Sequence, residues 1–215
     1  MSRPSESSRP SGSLLDRVPV VPVVVVDDVA HAVPLARARV AGGLPVLELT
    51  LRTPAALEAI RAIADEVPEI LLGAGTVVTP GQAEAALDAG AQFLVSPGST
   101  PSLLGAMADT GLPFLPGTAT VSEVLAVLEA GVPEMKFFPA EASGGAAFLK
   151  AVGAPVPAAR FCPTGGITAA SAASYLALPN VGCVGGSWLT PADALAAGDW
   201  DRVAALAREA AALGS

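Results

Sequence analysis

The stretch EILLGAGTVVTPGQAEAALDAGAQFLVSPG, residues 69–98, begins and ends with apolar segments of strand length, separated by a segment of helical composition. Thr79 and Pro80 are the residue types typical of a helix N-cap and a first helical position, and Gly90 is typical of a helix end. Strands that are joined by a crossover helix run parallel in one sheet. The stretch therefore predicts one βαβ unit.

The same alternation of strand and helix repeats along the rest of the chain. Thr120 and Glu123 have the spacing of a capping box, and Gly131 is expected to end the helix that they begin. The predicted strands and the last predicted helix are, in chain order, strands at 19–26, 45–50, 69–75, 92–98, 113–117, 134–140, 160–166 and 181–187, and a helix at 199–213.

Eight units of similar length predict a closed barrel rather than an open, doubly wound sheet. The nearest match to a dinucleotide-binding glycine pattern, at residues 73–78, has Val78 in place of the third glycine. We therefore predict an α/β protein whose single domain, residues 14–215, is a (β/α)₈ TIM barrel. The Ser-, Pro- and Arg-rich residues 1–13 are predicted to be a short disordered leader.

Composition narrows the choice of partners. The formal net charge is −8, 52% of the residues are hydrophobic, and Lys and Arg form no cluster. These values argue against nucleic acid or an anionic membrane surface as a partner. No apolar segment reaches the roughly 18 to 20 residues that span a bilayer.

The leader has no apolar segment of the kind found in a signal peptide, so a cytoplasmic location is predicted. In a reducing cytoplasm, Cys162 and Cys183 are predicted to be free thiols. The one histidine, His31, is far away in the sequence and is interpreted as a helix-start residue. A zinc site is therefore not expected.

Polar and conformationally special residues collect at the carboxyl ends of the predicted strands, where barrels of this kind build their active sites. These residues are Glu48, Thr50, Arg52, Gly75, Thr76, Ser96, Pro97, Gly98, Pro116, Gly117, Thr118, Lys136, Thr164, Gly165, Gly166, Gly185, Gly186 and Ser187. Because the strands themselves are apolar, this asymmetry predicts a functional site at that edge.

Lys136 is one of two lysines in the chain and lies inside an apolar strand, between methionine and phenylalanine. Burial in apolar surroundings disfavours the charged ammonium, and a neutral amine is the form that attacks a ketone. We interpret Lys136 as a Schiff-base nucleophile. The alternative is an ion pair with Glu48 or Glu141, and Lys150 is interpreted as a surface residue.

Glu48 lies near the end of the second predicted strand, and Arg52 comes two residues after that strand ends. A carboxylate that faces the same cavity as Lys136 can carry protons between substrate and water. The guanidinium of Arg52 suits a substrate carboxylate. The alternatives are an outward-facing glutamate and a surface arginine at a helix start.

Two glycine pairs end the seventh and eighth predicted strands, at residues 165–166 and 185–186, and each precedes a predicted helix start. Glycine lets backbone N–H groups approach an anion closely, and the loops after these two strands commonly bind phosphate in this fold. The pairs therefore predict a phosphate site. Tight turns without a ligand are the alternative.

With these residues in place, the chain resembles the bacterial class I 2-keto-3-deoxy-6-phosphogluconate (KDPG) aldolase / 4-hydroxy-2-oxoglutarate aldolase family. The resemblance covers nearly all of residues 18–213. The segments that carry it are VVPVVVVDDVAHAVPLARA, VLELTLRTPAALEAI, LGAGTVVTP, GAQFLVSPG, KFFPAE, RFCPTGGI and GGSWL.

The resemblance implies a role for each candidate residue. Lys136 matches the Schiff-base lysine and Glu48 the acid/base glutamate, while Arg52 matches the arginine that holds the substrate carboxylate. Thr76 and Pro97 match residues that line the same pocket. The positions that match the phosphate-binding end are Thr164, Gly165, Gly166, Gly185, Gly186 and Ser187.

The resemblance also implies a reaction, reversible cleavage of KDPG to pyruvate and glyceraldehyde 3-phosphate without a metal or other cofactor, and a homotrimer. Alternatives are an aldolase for the C4-epimeric phosphogalactonate substrate or chiefly for 4-hydroxy-2-oxoglutarate. A non-catalytic phosphosugar-binding barrel or an engineered trimeric scaffold are alternatives of another class. Retention of Lys136 together with Glu48 favours an enzyme, since a scaffold requires neither.

Overall fold

The computed structural model describes residues 12–214, so all but the last two residues of the predicted leader lie outside the described residues. Within this range the strands are short and pair in parallel. They are β1 (Val20–Val24), β2 (Val46–Thr50), β3 (Leu71–Gly75), β4 (Phe93–Val95), β5 (Phe114–Leu115), β6 (Gly117–Thr118), β7 (Glu134–Phe137), β8 (Arg160–Pro163) and β9 (Val184–Gly186).

Helices connect the successive strands, except β5 and β6, which are separated only by Pro116, and two helices follow the last strand. They are α1 (Ala32–Ala41), α2 (Ala56–Glu66), α3 (Pro80–Asp88), α4 (Pro101–Asp109), α5 (Val121–Glu129), α6 (Gly145–Gly153), α7 (Ala169–Leu176), α8 (Ala192–Ala197) and α9 (Trp200–Ala211). None of the helices in residues 12–214 has both the length and the apolar character needed to cross a membrane.

The helix starts and ends that were predicted from local sequence are confirmed. Thr79 caps α3 with Pro80 at its start, and Thr120 forms a capping box with Glu123 at the start of α5. The chain leaves these helices through Gly90 (φ 96°) and Gly131 (φ 81°). Positive φ angles of this size are accessible to glycine at little steric cost, which explains why the helices end there.

The strands form a curled parallel sheet in two hydrogen-bonded parts. One part has six strands in the order β5-β4-β3-β2-β1-β9, and the other has three in the order β6-β7-β8. The fifth predicted strand is interrupted at Pro116, which has no N–H to donate, although its carbonyl accepts a hydrogen bond from Lys136 N at 3.0 Å. Two isolated bridges, Phe161↔Val181 and Thr164↔Gly185, connect β8 with the segment that contains β9.

Side chains alternate between the two faces of β2, and this alternation decides where Glu48 lies. Leu47 and Leu49 pack outward in a cluster that includes Ile60 of α2. Val46 faces the opposite way, into the interior of the curled sheet. Glu48 is two residues from Val46 and therefore shares the interior face.

The same alternation sets the direction of Lys136 in β7. Met135 and Phe137 pack outward against the helices, in a cluster that includes Leu149 of α6 and Tyr175 of α7. Lys136 lies between the two outward side chains and therefore faces the interior.

Apart from Lys136 and Glu48, the interior of the curled sheet contains a cluster of apolar side chains. Its buried members are Leu14, Leu15, Val21, Val46, Phe93, Val95, Leu115, Cys162 and Cys183. Cys162 and Cys183 are free thiols, as predicted. Hydrogen bonding to Cys162, together with burial, raises the pKa of the Cys183 thiol above its usual range.

The amino end of the sheet is covered by a short 3₁₀ helix, Leu14–Asp16, whose first turn is capped by the Ser13 hydroxyl. Arg160 at the start of β8 donates to Ser13 at 3.1 Å, to Glu134 at 3.0 Å and to the carboxylate of Asp16. Ser13, the last residue of the predicted leader, thus takes part in the contacts that fix this helix.

Candidate active site

Lys136 and Glu48 meet in the interior of the curled sheet. Lys136 Nζ lies 3.4 Å from Glu48 Oε1, and each side chain is 3% exposed. The alternative of an outward-facing Glu48 is therefore excluded. The contact is the ion pair that was considered as the alternative interpretation of Lys136, and it is also a separation across which a proton can pass with little movement.

An aromatic ring also lies beside the Lys136 amine. The Phe138 ring centroid lies 5.2 Å from Nζ, and Glu48 is the one hydrogen-bond partner of the amine among residues 12–214. The amine therefore lies between one carboxylate and one aromatic ring, at the carboxyl end of β7.

Gly75, at the end of β3, makes room for the Glu48 carboxylate. A Cβ atom at Gly75 would lie 2.2 Å from Glu48 Oε1 and 2.6 Å from its Cγ. No side chain fits at position 75 unless Glu48 moves, so the position of the Glu48 carboxylate depends on a glycine there. The sequence placed Gly75 at a strand end but gave no sign of this contact.

Arg52 and Thr76 form the next polar contact at the carboxyl edge. Arg52 is exposed, and its Nε donates to Thr76 Oγ1 at 3.0 Å. Thr76 has a φ of 57° and is the one residue other than glycine with a positive φ among those described. For a β-branched residue this conformation is strained, typically by about 1 to 3 kcal/mol, and such strain clusters at functional sites.

Pro97 lies on the neighbouring strand end, close to Gly117. A Cβ atom at Gly117 would be 2.2 Å from the carbonyl carbon of Pro97, and Gly117 N donates to the buried hydroxyl of Ser96 at 3.3 Å. Because Gly117 pairs with Lys136 in the sheet register, this close approach brings Pro97 to the edge that carries the amine.

The first glycine pair forms the loop between β8 and α7. Gly165 and Gly166 have φ angles of 103° and 80°, which glycine adopts without steric cost. Thr168 caps α7 through a capping box with Ser171. The helix therefore begins three residues after the pair, as predicted, with its amino end behind the loop.

The second glycine pair belongs to β9 and lies beside the first. Thr164 forms an isolated bridge with Gly185, and a Cβ atom at Gly185 would lie 2.1 Å from Thr164 Oγ1. Ser187 follows and is exposed. The helix that was predicted to follow Ser187 is α8, which begins only at Ala192. It has no side-chain cap at its amino end.

The structure thus brings all the predicted site residues to one edge, in two groups. One group is the buried pair Lys136 and Glu48 with Arg52, Thr76 and Pro97 at the strand ends around it. The other is formed by the two glycine pairs with Thr164 and Ser187. Phe138, whose ring lies beside the amine, belongs to the apolar strand surroundings that the sequence predicted for Lys136. Sequence reasoning missed the role of Gly75, which makes room for the Glu48 carboxylate.

Metal-binding side chains do not gather in the described part of the chain. Within residues 12–214 there is no group of three or more His, Cys, Asp or Glu side chains arranged to hold a metal ion.

Proteins of one aldolase family are similar to this chain over most of its length. A family model described as KDPG and KHG aldolase matches residues 12–206. The KHG/KDPG aldolase of Escherichia coli (strain K12) is 57% identical over 198 residues, which are 92% of this chain and 93% of that protein.

Solved structures extend the comparison to three dimensions. The KDPG aldolase from Legionella pneumophila, with pyruvate captured at low pH as a covalent carbinolamine intermediate, is 45% identical with a TM-score of 0.90 over 92% of this chain and 96% of that one. A native KDPGal structure is 27% identical with a TM-score of 0.82 over 92% of this chain and 94% of that one.

Proposed function

Because the chain belongs to the KDPG and KHG aldolase family, we propose that it is a class I aldolase. It cleaves KDPG reversibly to pyruvate and glyceraldehyde 3-phosphate. The observation that carries the proposal is the buried contact of 3.4 Å between Lys136 Nζ and Glu48 Oε1. A phosphosugar-binding barrel or a scaffold would require neither residue.

In the proposed mechanism, the neutral amine of Lys136 attacks the C2 ketone of the substrate and forms a carbinolamine. Glu48 delivers the proton with which water leaves, and an iminium ion remains. The iminium withdraws electrons, so removal of the C4 hydroxyl proton breaks the C3–C4 bond. Glyceraldehyde 3-phosphate departs, the enamine is protonated to an iminium, and hydrolysis releases pyruvate and the free amine.

Arg52 and Thr76 are assigned to the substrate carboxylate in this proposal, and Pro97 lines the same pocket. Arg52 is exposed and is already oriented by its bond to Thr76 Oγ1 at 3.0 Å. A guanidinium held by one nitrogen keeps its other N–H groups free for a carboxylate.

The phosphate group is assigned to the two glycine loops. Gly165 and Gly166 have positive φ angles and lie just before the amino end of α7. Backbone N–H groups in such a loop, together with a helix amino end, favour binding of an anion. Gly185, Gly186, Thr164 and Ser187 complete the loop pair from the neighbouring strand.

Two related substrates remain to be compared with KDPG. Activity on 4-hydroxy-2-oxoglutarate is proposed as a second function, because the E. coli relative at 57% identity is named for both substrates. The C4-epimeric phosphogalactonate substrate is less favoured, because the native KDPGal structure is 27% identical whereas the Legionella KDPG aldolase is 45% identical.

We also propose that the curled sheet is a closed eight-stranded barrel in one domain, residues 14–215. In a flat sheet β2 and β7 would lie four strand spacings apart, about 19 Å at about 4.8 Å each. A contact of 3.4 Å between their side chains therefore favours closure. The bridge between Thr164 and Gly185 supports it on one side.

The family resemblance further supports a homotrimer in the cytoplasm as the working state of the enzyme. Sedimentation equilibrium of the purified chain measures the first part, and fractionation of cells that express it measures the second.

The decisive test is reductive trapping with pyruvate and borohydride, followed by peptide mass mapping. We expect the label on Lys136 and none on Lys150, which is exposed on α6. Lys150 lies outside the candidate site, so bound pyruvate is not expected to reach it. A label on Lys150, or no label under conditions in which KDPG is cleaved, would overturn the Schiff-base mechanism.

A further inference from the structure

Arg39 of α1 is a fully buried arginine that the proposed mechanism does not use. Its exposure is 0%, and its Nη2 donates to the carbonyl of Leu189 at 2.8 Å and to the Thr190 hydroxyl. Its Nε and Nη1 have no hydrogen-bond partner among residues 12–214. Burial lowers the pKa of Arg39 to about 10, so the guanidinium carries its charge at neutral pH.

Burying the guanidinium of Arg39 costs free energy of folding, and a role in packing alone would not offset that cost. No salt bridge joins it to a carboxylate in the described part of the chain. A buried charge without a counterion destabilises a fold, and an apolar side chain of similar volume is usually no worse. A positive charge at this position therefore calls for a functional reason.

The partners of Arg39 belong to the turn that carries Ser187. Thr190 N donates to Ser187 O at 3.2 Å and closes a four-residue turn over 187–190. Arg39 holds the carbonyl of the third residue and the side chain of the fourth. The turn starts directly after Gly186, where a Cβ atom would lie 2.1 Å from the Trp188 ring, so the turn and the glycine pair are packed as one unit.

The segment that provides both glycine loops has no cation of its own. From residue 161 to residue 201 the sequence contains neither Lys nor Arg nor His. A residue with a carboxylate packs against the first loop, since a Cβ atom at Gly166 would lie 2.7 Å from Glu141 Cγ. Within this segment, only backbone N–H groups and the hydroxyls of Thr164 and Ser187 could hold a phosphate dianion near that carboxylate.

We propose that Arg39 is the positioning residue of the phosphate site. It acts from below the turn of residues 187–190, where it fixes the position of Ser187 and adds the positive charge that residues 161–201 lack. Because low dielectric surroundings screen a buried charge weakly, the effect extends beyond direct contact. The inference rests on the proposed function, since it takes the glycine loops as the place where the substrate phosphate binds.

The test compares substrates with and without a phosphate group. In Arg39→Met we expect KM for KDPG to rise on the order of tenfold, the scale of one lost charge interaction near a protein surface, with kcat unchanged. The KM and kcat for 4-hydroxy-2-oxoglutarate, which has no phosphate, are expected to stay within about twofold. Arg37→Met, which removes an exposed arginine of the same helix, is the matched control and is expected to leave both substrates unaffected.

A second measurement separates this inference from the proposed function. Inorganic phosphate is titrated by calorimetry into the wild-type chain and into Arg39→Met, which requires no turnover. Weaker phosphate binding in the variant by a similar factor supports the role of Arg39 even if KDPG is not cleaved. Equal phosphate binding by the two proteins, or equal losses on both substrates, would overturn it.

Thr190→Val covers the case in which Arg39→Met does not fold. It removes one hydrogen bond of the guanidinium but keeps the charge, so KM for KDPG is expected to rise only about two- to fivefold, the scale of one hydrogen bond. Kinetics on 4-hydroxy-2-oxoglutarate are again expected to be unchanged. Wild-type kinetics on KDPG in Thr190→Val would contradict the positioning role.

Discussion

The two ends of the curled sheet both contain a cation paired with a carboxylate, and the two pairs are built in opposite ways. At the amino end, Arg160 has three partners, and its side chain and that of Asp16 are 37% and 60% exposed. At the carboxyl end, Lys136 and Glu48 have one contact of 3.4 Å and are 3% exposed. Both ends use β7, since Glu134 and Lys136 are two residues apart on its interior face.

The difference separates a structural pair from a reactive one. The hydrogen bond from Arg160 lowers the pKa of Asp16 and raises that of Arg160, so each charge stabilises the other in contact with water. Lys136 and Glu48 are buried, and among the described residues each side chain has only the other as a hydrogen-bond partner. A group that must change its protonation state during a reaction is better served by the second arrangement.

The largest expected effect comes from removing the amine. Lys136→Ala is expected to lower kcat/KM for KDPG by at least about 10⁴-fold, because loss of a nucleophile removes the covalent route entirely. Lys150→Ala is the matched control and should retain wild-type kinetics. The measurement is a coupled assay of pyruvate release, with the thermal midpoint recorded for each variant. Survival of cleavage in Lys136→Ala, especially cleavage that a chelator stops, would assign the reaction to a metal-dependent mechanism.

Neutralising the carboxylate is expected to have the next largest effect. In Glu48→Gln the amine is retained, so pyruvate and borohydride are still expected to label Lys136. Turnover is expected to fall by about 10²- to 10⁴-fold, the usual contribution of a general acid or base. Near-normal turnover in this variant would move the proton transfer to another residue or to water.

A smaller effect is expected when the carboxylate is only displaced. In Gly75→Ala the new Cβ would lie 2.2 Å from Glu48 Oε1, so the carboxylate must shift away from Lys136. Misplacement of a reacting group by about 1 Å can cost about 10²-fold in rate, and we expect a loss of up to that size.

Gly105→Ala in α4 is the control for Gly75→Ala, because a Cβ atom there meets nothing within 4 Å. It is expected to retain full turnover. If Gly75→Ala is equally active, the carboxylate of Glu48 does not need the position that it has in the structure.

The smallest effect is expected at the amino end. Asp16→Asn removes one partner of Arg160, and because the pair is exposed we expect no more than about 1 kcal/mol of lost stability at pH 7. Turnover is expected to be unchanged. Guanidinium unfolding of wild type and variant gives the difference.

The pH dependence of that difference follows from the lowered pKa of Asp16. A carboxyl group whose pKa is depressed in the folded state stabilises the fold above its unfolded pKa of about 3.9, and this contribution is lost as the pH falls through the folded value. The wild type and Asp16→Asn should therefore differ fully at pH 6 to 7 and converge below about pH 4. A difference that stays constant from pH 7 into the acid range would contradict the assignment to this carboxylate.

Local sequence was sufficient for much of the fold because helix ends depend on nearest neighbours. Thr79 and Thr120 cap helices through their own backbone neighbours, and Gly90 and Gly131 leave them at positive φ. The break at Pro116 was missed, since a strand of five residues and two strands of two residues look alike in the sequence. Only the missing N–H of proline distinguishes them, and its effect depends on which neighbour it faces.

By itself the sequence determined the order of strands and helices, the strand ends on which polar residues collect, and the unusual setting of Lys136. These follow from periodicity and composition, which are local. Only the tertiary structure decided that Glu48 reaches Lys136, that Gly75 leaves room for it, that Thr76 is strained and that Arg39 is buried against the turn after Ser187. Each of these depends on strands or helices far apart in the sequence being brought within a few ångströms, and curling of the sheet sets those distances.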